Sequence, residues 1–341
     1  MNCVSRKPAC WVACCSARVD NAALISALLA GPKTGVALAT EFGITRAAVW
    51  KRIQQLRDRG LQISILANRA YALAQPTPMM STEGIRAALN AQTKAQLRHL
   101  QVEFDVPSTQ TLAMAAPTPD TGMAVWVAET QSQGQGRRGK QWCSPPLANI
   151  YCSINRRFPG SVAAMNGFSL ACAVLLVRSL RAQGIEGLTL KWPNDIWLDG
   201  KKCAGLLIQL RGESGGPCDA TIGFGLNVGL SVEAGAAIDQ PWTAIVRHYP
   251  GPWDRNRMLA EVLNTFQAGF ETFQHEGLAA FLQDWQAYDG LSGQALVLED
   301  GQRRIEGISH GIDRDGALLL ETAHGIQRFH SGELSVKLNP G

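Results

Sequence analysis

The run Gly134-Gln135-Gly136-Arg137-Arg138-Gly139 continues as Lys140-Gln141-Trp142-Cys143-Ser144-Pro145-Pro146. A Gly-x-Gly-x-x-Gly run commonly opens a dinucleotide-binding domain, but that reading requires a helix directly after it. The residues that follow, with two consecutive prolines, cannot start an ordinary helix, so a doubly wound dinucleotide fold is excluded. What remains is a loop carrying two adjacent guanidiniums. Glycines let backbone N–H groups approach an anion closely, and arginine offers fixed forks that match carboxylate or phosphate oxygens. About fifty residues later, Lys191-Trp192-Pro193-Asn194-Asp195 closes the apolar run Leu188-Thr189-Leu190. A cation and a carboxylate therefore sit where an apolar run ends and proline turns the chain.

Outward from these motifs, strands are expected over residues 103–106, 124–129, 150–154, 188–191, 196–198, 203–210 and 220–226. Asp199-Gly200 is a strong hairpin signal between two of them. Helices are expected over residues 81–90, 93–99, 108–115, 165–181, 255–276 and 277–287. Helices and strands mixed in this order predict an α+β domain over residues 79–288. From residue 291 the texture changes. Short apolar runs punctuated by Asp300-Gly301, Asp313-Arg314-Asp315-Gly316 and His324-Gly325 predict five strands of a small β-barrel over residues 291–341.

Ahead of the linker Gln75-Pro76-Thr77-Pro78 lies a separate domain, residues 21–75. It reads as a helix over 21–30 stopped by Gly31-Pro32, a short helix over 34–42, a turn at Gly43 and a basic helix over 46–59. Thr45 can cap that helix, and Val49, Ile53 and Leu56 recur at the spacing of one buried face. Helix, glycine turn and basic helix make a helix-turn-helix, whose second helix presents its early residues to base edges. Arg46, Trp50 and Lys51 would face the DNA, and Arg69 would reach phosphate from the tip of a two-stranded wing over 61–73. A vestigial or protein-contacting module is the alternative.

A chain of 341 residues has room for two or three domains. Its 46% apolar and 18% charged content is that of an ordinary globular protein. No apolar stretch approaches the ~18–20 residues that cross a bilayer, so no membrane partner is expected. The net charge of +4 is unevenly placed: +2 over residues 1–20, +5 over 21–75 and −3 beyond. A polyanion is the natural partner of the front end alone. Nine cysteines without framework spacing fit a reducing, cytoplasmic location. Four of them fall in the first fifteen residues with no second ligand pair nearby, so no metal site is expected. Residues 1–20 are expected to be a disordered extension, with only a faint likeness to an export signal.

Gln131 through Trp142, Ser144-Pro145, Ala148-Asn149-Ile150-Tyr151, Lys191 to Asp195 and Lys202-Cys203-Ala204-Gly205-Leu206-Leu207 together resemble a biotin protein ligase. The likeness runs from about residue 20 onward and is to the bifunctional subclass, which is also the biotin operon repressor. It implies a winged helix-turn-helix, a central domain of the biotin/lipoate ligase type and an SH3-like C-terminal barrel. It further implies that biotin and ATP form biotinyl-5′-AMP, with Mg2+ assisting the leaving pyrophosphate. Biotin would then pass to a lysine of a biotin carboxyl carrier protein. Biotinyl-5′-AMP would also act as corepressor, and the adenylate-bound homodimer would bind operator DNA.

The resemblance distributes roles residue by residue. Ser108, Thr109, Gln110 and Gln131 would line the pocket for the ureido ring, while Gly205 and Gly223 let backbone approach the ligand. The loop with Gln135, Gly136, Arg137 and Arg138 would close over biotin and the adenylate. Lys202 would hold the biotin carboxylate and bridging phosphate, Lys191 the α-phosphate, and Asp195 the incoming amine or its proton. Asn194, Asn227, Trp242 (over the adenine) and Lys337, reaching back from the barrel, would serve the nucleotide. Each has a plainer reading in isolation: Ser108-Thr109-Gln110 as a helix cap, Trp242 as packing, Lys201-Lys202 as a solvated pair.

Two positions depart from the family pattern. Gln135 stands where the loop usually has its first arginine, and Pro107 where an aspartate usually precedes Ser-Thr. The first removes a charge and predicts weaker retention of the adenylate or an altered ordering of the loop. Three rivals stand beside this reading: a ligase without regulation; a ligand-sensing repressor without catalysis, against which the intact Arg137, Lys191 and Lys202 argue; and a lipoate or octanoate ligase, against which the arginine loop followed by Lys191 to Asp195 weighs.

Overall fold

The computed structural model describes residues 20–213, 215–299, 304–330 and 335–338. The extension expected over residues 1–20, apart from Asp20, and the Asp300-Gly301 turn lie outside the described residues. The chain divides into two compact units, residues 1–54 with 63–74 and residues 55–62 with 75–341.

In the N-terminal region α1 (Asn21–Leu29) leads into β1 (Lys33–Thr34), α2 (Gly35–Phe42) and α3 (Arg46–Asp58), then β2 (Ile63–Ile65) and β3 (Ala70–Leu73). The Thr34 hydroxyl accepts from the Ala37 amide at 3.1 Å and Thr45 from Ala48 at 3.1 Å, capping α2 and α3. Gly43 ends α2 at φ +63°, a left-handed turn suited to glycine. Val49, Ile53 and Leu56 are buried along α3. The wing is three-stranded, in the order β1-β3-β2, because Lys33 and Thr34 pair with Tyr71 and Ala70. Sequence periodicity could not show so short a strand.

The larger unit begins with α4 (Thr82–Ala88) and α5 (Ala91–Gln96), followed by β4 (Leu97–Val106), α6 (Thr109–Ala115) and β5 (Met123–Gln131). β6 (Ile150–Phe158) and α7 (Phe168–Ala182) precede the antiparallel run β7 (Leu188–Lys191), β8 (Asp195–Leu198), β9 (Lys201–Gly212) and β10 (Cys218–Leu226). α8 (Arg255–Glu276) and α9 (Leu282–Tyr288) complete it. One seven-stranded sheet has the order β4-β5-β6-β10-β9-β8-β7. Only β4 and β5 are parallel, joined by the crossover helix α6. One expectation is corrected: the helix proposed over 93–99 ends at Gln96, because Leu97, His99 and Leu100 pair with β5. Pairing with a neighbouring strand overrides the local pattern. The Asp199-Gly200 turn has both residues at positive φ (+52° and +67°), as a tight two-residue hairpin requires.

The sheet has two different faces. Val125, Val127, Ile154, Ile222 and Phe224 belong to the main core, to which α7 and α8 contribute Phe168, Phe266 and Phe270. Phe168 and Phe270 have ring centroids 5.6 Å apart, and Phe158 stands edge-on to Phe168 at 5.0 Å. On the other face Ala124 and Trp126 pack with Ala113 of α6. Strand alternation sends Ser153, Gly223 and Gly225 to this second face as well. Beyond the part that α6 covers, Ser153, Gly205, Gly223 and Gly225 are small, and the sheet is left open there.

The remaining strands β11 (Ala295–Glu299), β12 (Arg304–Ile312), β13 (Leu318–Thr322), β14 (Gly325–Phe329) and β15 (Ser335–Leu338) form a five-stranded antiparallel sheet in the order β14-β13-β12-β11-β15. The Trp192 indole N–H donates to the Gly316 carbonyl at 3.1 Å, tying the second motif to this sheet. Among the described residues no helix is long and apolar enough to cross a membrane. Cys152, Cys172, Cys203 and Cys218 are buried, and burial raises their thiols (Cys203 to about 12), so they serve as small apolar groups.

Candidate functional site

A cavity of about 620 Å3 opens on the glycine-bearing face of the seven-stranded sheet. Register builds its floor. Gly223 of β10 lies opposite Ser153 and Leu207, and Gly225 lies opposite Gly205, which in turn faces Asp195. A Cβ at Gly223 would stand 2.3 Å from Gln110 Oε1, and one at Gly225 2.3 Å from the Trp142 ring. Glycine is thus required at both positions for side chains to lie flat on the strands. Two residues apart on β10, or about 7 Å, these glycines separate two chemically unlike clusters.

Around Gly223 the cluster is neutral. The Thr109 amide donates to Gln131 Oε1 at 2.8 Å, and the Thr109 and Ser153 hydroxyls are 2.9 Å apart. Ser153 donates to Gln110 Oε1 at 3.1 Å, and Gln110 Nε2 to Gln209 Oε1 at 2.7 Å. Gln131 Nε2 donates to Ser144 Oγ at 3.1 Å. Ser108 stands at the start of α6 without capping it, and its buried hydroxyl has no hydrogen-bond partner. Such an orphan costs about 1–3 kcal/mol unless something else satisfies it. The plain cap reading of Ser108 therefore fails, and a ligand that accepts or donates there would recover the loss.

Around Gly205 and Gly225 the cluster is ionic. Lys202 Nζ lies 2.8 Å from Asp195 Oδ1 and 5.3 Å from the Trp142 ring centre. Lys191 stands 5.0 Å over Trp197, and burial holds its pKa below the usual lysine value. Asp195 opposes that shift, while Lys202 and Lys140 add to it. Burial likewise lowers Arg137, against the pull of Asp195. Arg137 donates to Asn194 Oδ1 at 3.2 Å, and Asn194 is itself fixed by donating to the Leu206 carbonyl at 2.6 Å. The cavity wall carries five cations (Arg137, Arg138, Lys140, Lys191 and Lys202) against the carboxylates Asp195 and Asp239. So large an excess in a partly dry site selects for a polyanion.

The glycine loop closes on itself without a following helix. Gly136 N–H donates to the Lys140 carbonyl at 2.7 Å and Trp142 N–H to Gly134 at 2.9 Å. Gln135 reaches back to Thr111 of α6, its amide 3.0 Å from the hydroxyl. Trp242 is held beside Lys202 by backbone bonds, Lys202 N–H to Pro241 at 3.0 Å and Thr243 N–H to Lys202 at 2.9 Å. The Arg247 guanidinium stacks 4.3 Å over its ring. Asn227 donates to the Thr243 carbonyl at 3.1 Å and lines the same cavity.

The structure thus brings together Ser108, Thr109, Gln110, Gln131, Gln135 and Gly136 with Arg137, Arg138, Lys191, Asn194, Asp195, Lys202, Gly205, Gly223, Asn227 and Trp242. It does not bring in Lys337, which is exposed and ion-paired with Glu299 at 2.7 Å. Its neighbour Val336 lines the cavity instead, because successive strand residues face opposite ways. Arg46, Trp50, Lys51 and Arg69 are all exposed in the N-terminal region, Trp50 by 57%. Sequence reading gave no role to Trp142, Ser153 or Gln209. Ser153 had a signal, since Cys152-Ser153-Ile154-Asn155 alternates apolar and polar. Gln209 had none.

Comparison with known proteins follows the same divisions. The Biotin/lipoate A/B protein ligase family matches residues 102–227, the Biotin protein ligase C terminal domain residues 291–337, and an HTH domain residues 22–72. The chain is 33% identical over 304 residues to the bifunctional ligase/repressor BirA of Escherichia coli, covering 89% of this chain and 92% of that protein. It is 30% identical to a biotin–[acetyl-CoA-carboxylase] ligase of Paracoccus denitrificans, over 63% of this chain and 92% of the relative. The biotin protein ligase from Aquifex aeolicus in complex with biotin and ATP superposes with a TM-score of 0.61 at 24% identity, covering 71% of this chain and all (100%) of that one. That likeness is one of fold.

Proposed function

The chain belongs to the biotin protein ligase family, and we propose that it is a biotin ligase that doubles as a transcriptional repressor. It activates biotin with ATP as biotinyl-5′-AMP and passes the acyl group to a lysine of a biotin carboxyl carrier protein. One observation carries the reading: a neutral hydrogen-bonding cluster and a cation excess share one cavity, two strand residues apart. An uncharged cyclic urea suits the first and a carboxylate meeting a triphosphate suits the second.

In this reading the biotin carboxylate attacks the α-phosphorus and pyrophosphate leaves. Two anions must meet, and Lys202, Lys191 and Arg137 neutralise their approach and the charge that spreads over the phosphorus oxygens. Lys202 exchanges its bond to Asp195 for the ligand's oxygens. Asp195, freed of its partner, then receives the acceptor lysine and takes its proton as the amine attacks the acyl carbon, the acyl–phosphate bond breaks and AMP leaves. Trp242 and Asn227 hold the nucleoside, and the glycine loop covers the anhydride against water. Mg2+ would supply charge neutralisation on the leaving pyrophosphate. The described residues contain no group of three or more His, Cys, Asp or Glu that could hold a metal. Such an ion would be held through the phosphates, with Asp239 as the cavity carboxylate that could face it.

The N-terminal domain binds operator DNA, with Arg46, Trp50 and Lys51 on α3 reading the major groove and Arg69 on phosphate. Biotinyl-5′-AMP is the corepressor, acting through an adenylate-dependent homodimer. The test is biotin-dependent ATP–pyrophosphate exchange by the full chain, with lipoate and octanoate as controls. Exchange with biotin alone is expected. Exchange with another acid reassigns the substrate, and none with any acid leaves a regulator that does not activate its ligand.

A further inference from the structure

We infer that Gln209, a residue outside the cavity wall, positions the ring-binding end of the site by fixing the carboxamide of Gln110. This rests on reading the neutral cluster as the place of the ureido ring.

The Gln110 side chain lies across three strands. Beneath it is Gly223 of β10, where any Cβ would collide with Oε1 at 2.3 Å. On one flank Ser153 of β6 donates to Oε1 at 3.1 Å, and on the other Gln209 of β9 accepts from Nε2 at 2.7 Å. Gln110 and Ser153 are buried (3% and 0% exposed) and line the cavity, whereas Gln209 is half-buried. A carboxamide has two donors and an acceptor with two lone pairs. Ser153 and Gln209 each occupy one of these at opposite ends of the group. The second N–H points to the Leu207 carbonyl, at the longer distance of 3.5 Å, so a lone pair on Oε1 is left for a ligand, and a cyclic urea has N–H groups to meet it.

Ser153 alone cannot fix which way the amide points, because a hydroxyl either donates or accepts. It is also shared with Thr109 at 2.9 Å. Two acceptors stand at the Nε2 end, the Gln209 carboxamide at 2.7 Å and the Leu207 carbonyl at the longer 3.5 Å, and together they keep the amide oxygen toward Ser153. Without Gln209 only the long bond to Leu207 holds that end, and the carboxamide is fixed less firmly for the ring. Gln209 thus acts through Gln110 and need not touch the substrate.

The test is pyrophosphate exchange with biotin and ATP titrated separately. Gln209→Leu removes the acceptor, and the KM for biotin should rise about tenfold, the worth of one hydrogen bond, with kcat and the KM for ATP within twofold of the parent. Gln209→Glu keeps an acceptor at that place and should restore the parental KM. Gln110→Ala should raise the KM at least as much, and the double variant Gln110→Ala/Gln209→Leu should be no worse than Gln110→Ala alone. Equal impairment by Leu and Glu, a parental KM in Gln209→Leu, or additive effects in the double variant would each overturn the inference. A parental KM in Gln110→Ala would instead remove the reading of the neutral cluster on which it rests.

Discussion

The two ends of the cavity are built on opposite plans. At the neutral end nearly every polar atom already has a protein partner: Thr109 with Gln131, Ser153 with Gln110, Gln110 with Gln209. At the ionic end the partners are too few, five cations sharing two carboxylates. A neutral network costs little to hold in readiness, because its bonds are made before any ligand arrives. Unbalanced buried charge is expensive, and the lowered pKa values of Lys191 and Arg137 record that expense. The molecule keeps shape at one end and potential at the other. Damage to the first should therefore appear in biotin affinity, and damage to the second in rate.

The sharpest way to break this contrast is at Lys202. Lys202→Ala should slow pyrophosphate exchange roughly 10²–10³-fold, as loss of one preorganised electrostatic contact does, with the KM for biotin changed far less. A large KM effect with kcat intact would place Lys202 in ground-state binding instead. Asp195→Asn should spare exchange and slow transfer to the carrier lysine, since it removes the base and leaves the cations.

Lys191 tests the same contrast through pH. Its folded pKa lies below the ordinary lysine value because burial disfavours the cation. The cation is lost as pH rises through that lowered value, so kcat/KM for ATP should fall on the alkaline side earlier than an ordinary lysine would dictate. Stability moves the other way. Between the lowered pKa and the unfolded value the unfolded chain binds more protons, so stability gains with pH over the window in which activity is lost. In Lys191→Arg the alkaline limb should move out of the accessible range. An unchanged limb would assign it to another group.

How much of this was legible beforehand differs between the ends. The ionic residues were visible because they stand in dense motifs, Arg137-Arg138 and Lys191 to Asp195, whose composition is unusual for any packing role. Gly223 was assigned by resemblance alone, and Gly225 received no role although it stands two residues on in the same strand and so shares its face. The neutral network was only half legible. Ser108, Thr109 and Gln110 were found by resemblance, but Ser153 and Gln209 meet Gln110 through register across β6, β10 and β9, and pairing partners are not written in local sequence. Lys337, assigned by resemblance, lies outside the cavity wall while its neighbour Val336 lines it, and that facing too is settled by strand partners.

At the neutral end Ser108 is the exception that sharpens the rule, a buried hydroxyl without a partner. Ser108→Ala removes an unsatisfied group, so the ligand-free protein should be as stable as the parent or more so. The KM for biotin should nevertheless rise, by about five- to tenfold for one lost hydrogen bond. Thermal unfolding with and without biotin separates the two effects. Lower stability without biotin would show that Ser108 serves the fold.

The smallest expected change lies in the loop between the two ends. Gln135 carries no charge where the family's loop has its first arginine, and its amide binds Thr111 on α6, the helix that starts at the neutral cluster. The loop is therefore held by a neutral bond of the kind that orders the ring end, with one cation fewer to grip the adenylate. Gln135→Arg exchanges the one for the other. It loses the bond to Thr111, worth about 1 kcal/mol, and gains a guanidinium beside a phosphate ester at an exposed position, where such a contact is worth no more. The two nearly cancel, so dissociation of preformed biotinyl-5′-AMP should slow only a few-fold, with the rate of its formation unchanged. Thr111→Val isolates the other half: it removes the anchor without adding charge, and release should quicken. Identical off-rates in all three proteins would mean that residue 135 neither orders the loop nor holds the adenylate, and that Arg137 and Arg138 do so alone.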